Sequence, residues 1–229
     1  MAVQTHDFEA DTGKILNIVI NSLYSDRDIF LRELLSNASD AIHKRRFLGQ
    51  TEPQLLNSSE DEISINFDEK KKTIEIIDTG IGLSADDLTE TFGTIARSGT
   101  SSFLEAIGEN PDNKDAAKTL IGKFGVGFYS AFMVAEKVIA TTRKAGEDDT
   151  LIWESDGKTG YTITSTSDIR ETGTSIKLFL RKDAKEYADS QRLKTLIKKY
   201  SDHILVPIFL TSKDAEKEQA NSAQALWTK

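Results

Sequence analysis

The sequence Leu31-Arg32-Glu33-Leu34-Leu35-Ser36-Asn37-Ala38-Ser39-Asp40-Ala41 predicts a helix with three polar side chains of different chemistry on one side. Glu33, Asn37 and Asp40 lie at positions i, i+4 and i+7, so a helix stacks a base, an amide and an acid in one stripe. Apolar residues recur around the stripe at helical spacing: Ile29, Phe30, Leu34, Leu35, Ala38, Ala41 and Ile42. Because a carboxylate and an amide at the edge of a core need a partner, the stripe indicates a ligand site. Seen alone, such a stripe is more often a solvated helix face.

Two glycine-rich segments indicate which ligand. Asp78-Thr79-Gly80-Ile81-Gly82 ends an alternating strand, and Gly122-Lys123-Phe124-Gly125-Val126-Gly127-Phe128 precedes an apolar segment that we predict to be a helix. A helix that begins after glycines offers free backbone N–H groups and partial positive charge, which suit a polyphosphate. We therefore expect Gly125, Val126, Gly127 and Phe128 to donate to phosphate oxygens. Together with the stripe, the two segments predict a nucleotide pocket, although each glycine motif alone is weak.

The composition excludes several other classes of protein. The chain has 229 residues, a formal net charge of −8, no cysteine and three histidines. This charge argues against a general nucleic-acid or anionic-membrane surface, and the lack of cysteine excludes disulfides and thiolate metal sites. We find neither a membrane span nor a signal peptide in the sequence. The default expectation is a cytoplasmic protein whose partners are proteins and a small anion.

The order of the predicted elements indicates an α+β fold. We expect helices over residues 11–23, from about residue 28 and over 191–203, a hairpin of strands at 62–67 and 73–78, and strands at 137–143, 150–154, 161–165, 174–180 and 205–210. This order predicts a two-layer sandwich in which a mixed, largely antiparallel sheet carries helices on one face. Residues 93–122 are polar and glycine-rich and lie between two ligand motifs, which suits a mobile lid. Residues 1–211 would form the domain, and 212–229 a charged, solvated linker.

Several of these segments resemble the amino-terminal ATPase domain of the 90-kDa heat-shock chaperones. They are Glu33 to Ala41, Asp78 to Gly82, Gly93 to Thr100, Gly122 to Phe132 and Lys199 to His203. The likeness covers nearly the whole chain, and Phe124 to Phe132 is its most specific part. It implies the Bergerat ATP-binding fold. Gyrase B, MutL and sensor histidine kinases share only the skeleton of these motifs, so a DNA-manipulating ATPase of the gyrase B or MutL type stays the main alternative.

The chemistry of the pocket residues suggests a role for each. Facing adenine, Asp78 would accept a hydrogen bond from the exocyclic amine and reject guanine; the alternative is an aspartate that only forms an Asx turn. Asn37 is the best candidate for a Mg²⁺ ligand. Asp40 would contact the ribose side or order water, or simply cap a local backbone group. Glu33 is the proposed general base, which orients and deprotonates the water that attacks the γ-phosphate.

The resemblance extends this set of residues and implies partners. It implies that Thr174 holds the same base edge as Asp78, and that Gly82, Ser98 and Gly99 also contact the nucleotide. The implied ligands are ATP or ADP with Mg²⁺, and hydrolysis would be slow in this domain alone. Ala225 to Lys229 resemble the start of the family's middle domain. In a full-length protein the implied partners are client proteins, that middle domain and a second copy of the chain, with neither nucleic acid nor membrane.

Overall fold

Nine strands form a single sheet in the computed structural model, which describes residues 3–7, 26–56, 59–93, 126–158, 160–168, 170–212 and 215–224. The strands are β1 (Val3–Asp7), β2 (Ile63–Asp68), β3 (Thr73–Asp78), β4 (Ala135–Arg143), β5 (Thr150–Ser155), β6 (Gly160–Thr166), β7 (Gly173–Leu180), β8 (Ile208–Ser212) and β9 (Ala215–Gln219). Their spatial order is β1-β6-β5-β4-β7-β3-β2-β8-β9. All neighbours are antiparallel except β2 and β8, which are parallel. The predicted mixed, largely antiparallel sheet is therefore confirmed.

Three α-helices complete the described part: α1 (Ile29–Gly49), α2 (Ala85–Phe92) and α3 (Ser190–Tyr200). Shorter 3-10 helices cover Pro53–Leu55, Val126–Met133 and Lys182–Ala188. Alternating residues of β2, Ile63, Ile65 and Phe67, are buried, as the period of a strand requires when one face meets a core. The apolar side of α1 packs into the same core, where Phe30, Leu35 and Ile42 are fully buried. The result is the predicted α+β sandwich.

Helix α1 is held at its start by a buried acid. Asp28 precedes the helix, and its Oδ1 atom accepts hydrogen bonds from the Tyr187 hydroxyl at 2.9 Å and from Arg192 Nη2 at 2.5 Å. Phe30 packs edge-on against the Tyr187 ring with a centroid separation of 5.0 Å. These contacts tie the start of α1 to the segment that leads into α3. They thereby fix the position of the polar stripe relative to the sheet.

Two predicted elements differ in the structure. The apolar segment after the glycine loop is a 3-10 helix, Val126–Met133, where we predicted an ordinary helix. We expected a solvated linker from residue 212; in the structure Ala215–Gln219 form β9, which is exposed over 216–219 but pairs with β8, and Asn221 is buried. The Asn221 side chain accepts from Ile208 N–H at 2.8 Å and donates to two further backbone carbonyls. Side-chain hydrogen bonds therefore anchor this end of the chain.

Other predictions fall on residues that the structure does not describe. They are the helix at 11–23, the lid at 93–122 apart from Gly93, and residues 225–229. Within the described ranges, every helix is too short or too polar to cross a membrane.

Candidate nucleotide-binding site

The glycine loop meets the stripe of α1 at Glu33. A Cβ atom added to Gly127 would lie 2.7 Å from Glu33 Oε2, which is closer than real Cβ contacts allow. The backbone at the start of the Val126–Met133 helix therefore lies directly against the Glu33 carboxylate. The structure thus brings together two motifs that are about ninety residues apart in the chain.

The second glycine motif meets the same helix further along. The N–H of Ile81 donates to the carbonyl of Ala41 at 3.1 Å, and a Cβ atom on Gly80 would lie 2.6 Å from the Ala41 Cβ. Eight residues separate Glu33 from Ala41, which corresponds to about 12 Å along a helix. The two glycine motifs therefore flank the stripe at its two ends, with Asn37 and Asp40 between them.

Asp78 is buried at the end of β3, with 6% of its surface exposed. Its Oδ1 atom accepts from Gly80 N–H at 2.8 Å, so the Asx turn that we considered as an alternative does form. A carboxylate has about four acceptor positions, so this turn leaves capacity for a ligand. Asp78 also lies directly opposite Thr174 in the β3–β7 pair, so the two residues predicted for one base edge are neighbours.

The environment of Asp78 changes its titration. Burial raises the pKa of the Asp78 carboxyl to about 7, while the N–H groups of Gly80 and Thr174 and the positive charges of Arg170 and Arg45 act to lower it. A buried carboxyl that titrates near neutral pH is typical of a functional site. Above that pH the ionised group is a strong hydrogen-bond acceptor.

A threonine that the sequence does not single out joins the segments around Asp78 and Thr174. Thr142 in β4 donates its hydroxyl to the Gly173 carbonyl at 3.1 Å and accepts from Leu83 N–H at 2.9 Å. Its Oγ1 also lies 3.0 Å from Thr174 Oγ1. Either hydroxyl can be the donor in that pair. Thr142 therefore joins the turn after β3 to the start of β7.

Gly82 and Gly173 are required by the backbone. Both have positive φ, 71° and 134°. A Cβ atom on Gly82 would lie 2.0 Å from the Arg143 carbonyl oxygen, and one on Gly173 would lie 2.1 Å from the Asp78 carbonyl oxygen. Any other residue at either position would force the neighbouring segments of the chain apart. The structure thus gives Gly82 a packing role, and its contact with a nucleotide stays a prediction.

The Glu33 carboxylate is paired with its neighbour in sequence. Arg32 donates to Glu33 Oε1 from Nη2 at 2.6 Å and from Nε at 3.1 Å. The Glu33 side chain is 16% exposed, whereas that of Arg32 is 39% exposed. Glu33 is thus accessible from the pocket and oriented by a cation. The sequence pattern gives no sign of this pairing, because adjacent residues of a helix do not share a face.

Asn37 and Asp40 are exposed along the stripe. Asp40 and Glu33 line a cavity of about 330 Å³ between α1 and residues 200–205. In the part of the chain that the structure describes, no group of three His, Cys, Asp or Glu residues could hold a metal ion. An amide oxygen one turn from a carboxylate suits Mg²⁺, which binds substrate phosphates and needs only one or two protein ligands.

The phenylalanine of the glycine loop has its side chain in the core. The Phe128 ring is buried and stacks on Phe92 with a centroid separation of 3.8 Å, and the Tyr129 hydroxyl donates to the Phe92 carbonyl at 2.7 Å. Phe128 can therefore serve a ligand only through its backbone, which begins the 3-10 helix together with Val126 and Gly127. These contacts also fix the end of α2, where the predicted lid begins. The predicted contacts Ser98, Gly99 and Gly125 lie outside the described residues.

Comparison with known proteins is consistent with this geometry. A chaperone protein HtpG from Wolinella succinogenes is 49% identical over 230 residues, which cover 97% of this chain and 37% of that protein. The HtpG of Rickettsia massiliae is 48% identical and that of Methylorubrum populi 46%, with 100% and 99% of this chain covered. The chain spans only 36–37% of the length of these relatives.

A family model covers most of the site. Residues 24–168 match the model described as histidine kinase-, DNA gyrase B- and HSP90-like ATPase. The matched range includes α1 with Glu33, the turn after Asp78 and the start of the Val126–Met133 helix. The chain therefore belongs to the histidine kinase-, DNA gyrase B- and HSP90-like ATPase family.

Proposed function

We propose that this chain is the nucleotide-binding ATPase domain of a molecular chaperone and that it binds Mg-ATP and ADP along α1. One observation carries the proposal: the polar stripe has the Gly127 backbone against Glu33 at one end and the Asp78 turn against Ala41 at the other. A nucleotide with its base at Asp78 and its phosphates near Gly127 would lie along the stripe. Base, sugar and phosphates would then each meet a group of suitable chemistry.

The base end would select adenine. Ionised Asp78 would accept a hydrogen bond from the exocyclic amine, whereas the carbonyl oxygen of guanine at that position would face a second acceptor. Thr174, held beside Asp78 through Thr142, would support the same edge. At the other end, backbone N–H groups from Gly125 to Phe128 would bind phosphate oxygens. Gly82, Ser98 and Gly99 would add further contacts, and Asp40 would meet the ribose side or order water.

Hydrolysis would depend on Glu33. Its carboxylate lies beside the glycine loop and would orient the attacking water and accept its proton. Asn37, one turn away, would hold Mg²⁺ through its amide oxygen. When bound, the ion would neutralise charge on the phosphates. Arg32 donates to Oε1 of the same carboxylate and would hold it in place, while Oε2 lies nearest to Gly127. Slow turnover by the isolated domain is expected.

The chaperone assignment is supported by the HtpG relatives. In a full-length cytoplasmic protein, ATP would close the lid at residues 93–122, and lid closure would prepare docking with a middle domain and a second protomer. Client proteins would be the substrates of that cycle. The net charge of −8 disfavours the DNA-manipulating alternative, because binding to DNA releases counterions from a basic surface.

Titration calorimetry with ADP, ATP and GDP, with and without Mg²⁺, tests the proposal. We expect a Kd for ADP between micromolar and millimolar, which corresponds to about 4 to 8 kcal/mol, and much weaker binding of GDP. Asp68→Asn is a matched control. Asp68 also ends a strand and accepts hydrogen bonds from the backbone of the turn that follows, but this turn is that of the β2–β3 hairpin and not the Asp78 turn. Equal binding of ADP and GDP, or no binding of either, would contradict the proposed function.

A further inference from the structure

Arg45 is a buried cation outside the predicted stripe. Its side chain is 2% exposed, and its Nη2 atom is bonded to Asp61 Oδ1. Its Nε and Nη1 atoms are also buried and have no hydrogen-bond partner among the described residues. A buried guanidinium that uses only part of its donors is costly, and an apolar side chain of similar volume would avoid that cost. The position of Arg45 relative to the base edge suggests why a cation is placed there.

Asp61 connects Arg45 to the turn that carries Asp78. The Thr79 hydroxyl lies within reach of two acceptors, Asp61 Oδ1 at 3.5 Å and the Glu62 carbonyl oxygen at 3.4 Å. The Thr79 backbone is fixed in turn by Glu62, which accepts from Thr79 N–H at 3.3 Å and donates to Thr79 Oγ1 at 3.1 Å. Thr79 directly follows Asp78, so the contact between Arg45 and Asp61 holds one side of the turn.

The same helix holds the other side. Ala41 lies one helical turn before Arg45, and its carbonyl accepts from Ile81 N–H. The Asp78 carboxyl faces the positive charge of Arg45 from α1 and that of Arg170 from the segment before β7. Both arginines act to lower the pKa of the Asp78 carboxyl.

The surroundings of the two arginines complete the cluster. Arg45 also faces Asp61 and Arg46, and Arg170 also faces Glu75. Arg46 shares Asp61 with Arg45, but its side chain is 48% exposed, whereas that of Arg45 is 2% exposed. Arg46 is therefore a natural control for Arg45.

We propose that Arg45 is a positioning residue of the adenine site, which holds the Asp78 turn through Asp61 and Thr79 and supplies positive charge behind the Asp78 carboxylate. The role of Asp78 toward adenine rests on the proposed function; the link between Arg45 and Asp78 does not. Removing the charge of Arg45 raises the pKa of Asp78 further, so fewer molecules carry an ionised acceptor near neutral pH. The affinity for adenine nucleotides therefore falls more steeply as the pH is lowered.

The test compares Arg45→Gln, Arg45→Lys and Arg46→Gln in this chain. Gln keeps a donor for Asp61 but removes the charge, whereas Lys keeps the charge. Two quantities are measured: the titration of the Asp78 carboxyl by carbon-13 NMR without ligand, and the Kd of ADP at pH 6.5 and 8.5. If the titration midpoint of Asp78 rises by one pH unit, the fraction of molecules with ionised Asp78 falls about eightfold at pH 6.5. At pH 8.5 the same change lowers that fraction by about a quarter.

We expect Arg45→Gln to raise the midpoint and to weaken ADP binding severalfold at pH 6.5 but little at pH 8.5. Arg45→Lys should restore most of the wild-type pH profile, and Arg46→Gln should leave it unchanged. A purely structural role would weaken binding equally at both pH values. Identical midpoints and affinities in Arg45→Gln and Arg46→Gln would overturn the proposal.

If Arg45→Gln does not fold, Thr79→Val removes the contact between Asp61 and the turn; the proposal then requires weaker ADP binding, and wild-type affinity overturns it. If the wild-type chain does not bind ADP, the proposed function fails, but the Asp78 titration still shows whether Arg45 acts on this carboxyl.

Discussion

Replacement of Asp78 by Asn should stabilise the unliganded domain above about pH 7 and weaken its binding of ADP. Burial raises the pKa of Asp78 from 3.8 to about 7. One pKa unit corresponds to about 1.4 kcal/mol, so the ionised carboxylate costs the folded state about 4 kcal/mol relative to a neutral group. Asn is close in shape and can still accept from Gly80 N–H. Its amide hydrogens lack a partner, which costs about 1 to 3 kcal/mol at every pH.

The sign of the pH dependence follows from proton binding. Between about pH 4 and 7 the folded protein holds the Asp78 proton and the unfolded chain does not, so the stability of the wild type falls as pH rises through this window. Above pH 7 both states are ionised and the cost is constant. Asn does not titrate. The free energy of unfolding of Asp78→Asn relative to that of the wild type should therefore increase by about 3 kcal/mol between pH 5 and pH 8. The constant cost of the unpaired amide cancels in that difference.

Urea denaturation of the wild type, Asp78→Asn and Asp68→Asn at pH 5, 6, 7 and 8 measures this difference. Asp68 is half-buried in the β2–β3 hairpin, so Asp68→Asn is the control for replacing a strand-end carboxylate at a less buried position. Calorimetry on the same proteins should show that only Asp78→Asn loses ADP binding. A difference between wild type and Asp78→Asn that stays constant from pH 5 to 8 would refute the reasoning about burial. Undiminished ADP binding by Asp78→Asn would refute the base contact.

Three further predictions concern the rest of the pocket. Glu33→Ala in a full-length protein should keep its affinity for ATP and lose hydrolysis, because a general base acts on water and not on the bound nucleotide; hydrolysis at the wild-type rate removes Glu33 from this role. Asn37→Ala should weaken nucleotide binding in the presence of Mg²⁺ and leave it unchanged in EDTA, as calorimetry can show; equal losses in both conditions would exclude a metal ligand. The amides of residues 93–122 should exchange hydrogen at different rates with ADP and with a non-hydrolysable ATP analogue in the full-length protein, and identical protection would leave this segment an ordinary insertion.

Sequence patterns predicted the sheet well because the inner strands are strongly patterned. Ile63, Ile65 and Phe67 alternate with polar residues, and the turn at 68–72 has polar side chains that accept from the backbone. The same patterns failed for β9, whose sequence Ala215-Glu216-Lys217-Glu218-Gln219 is almost entirely polar. An edge strand needs only backbone pairing and a few ion pairs, here Lys217 with Glu62 and Lys194 with Glu218. No periodic apolar residue marks such a strand.

Around Asp78, too, some residues could be predicted from the sequence and others could not. Asp78 and the glycines could be predicted because a turn with positive φ and a strand-end carboxylate leave a recognisable motif. Thr142 and Arg45 could not be, since one is an ordinary residue of a strand and the other a cation in a helix with many charges. Their roles depend on which atoms the sheet and α1 bring within reach, and such contacts join residues far apart in the chain.

The central position of β7 sets the order in which the domain can form during synthesis. β7 pairs with β3 and β4, so Asp78 and Thr174 come together only after the ribosome has released about 180 residues. Contacts of such sequence separation close slowly because chain entropy is lost before they form. Until β7 arrives, the edge of β3 that later pairs with it has unpaired backbone N–H and C=O groups. An unpaired strand edge is a template for pairing with another chain, so the late arrival of β7 leaves the growing chain open to wrong strand pairing until its middle strand is in place.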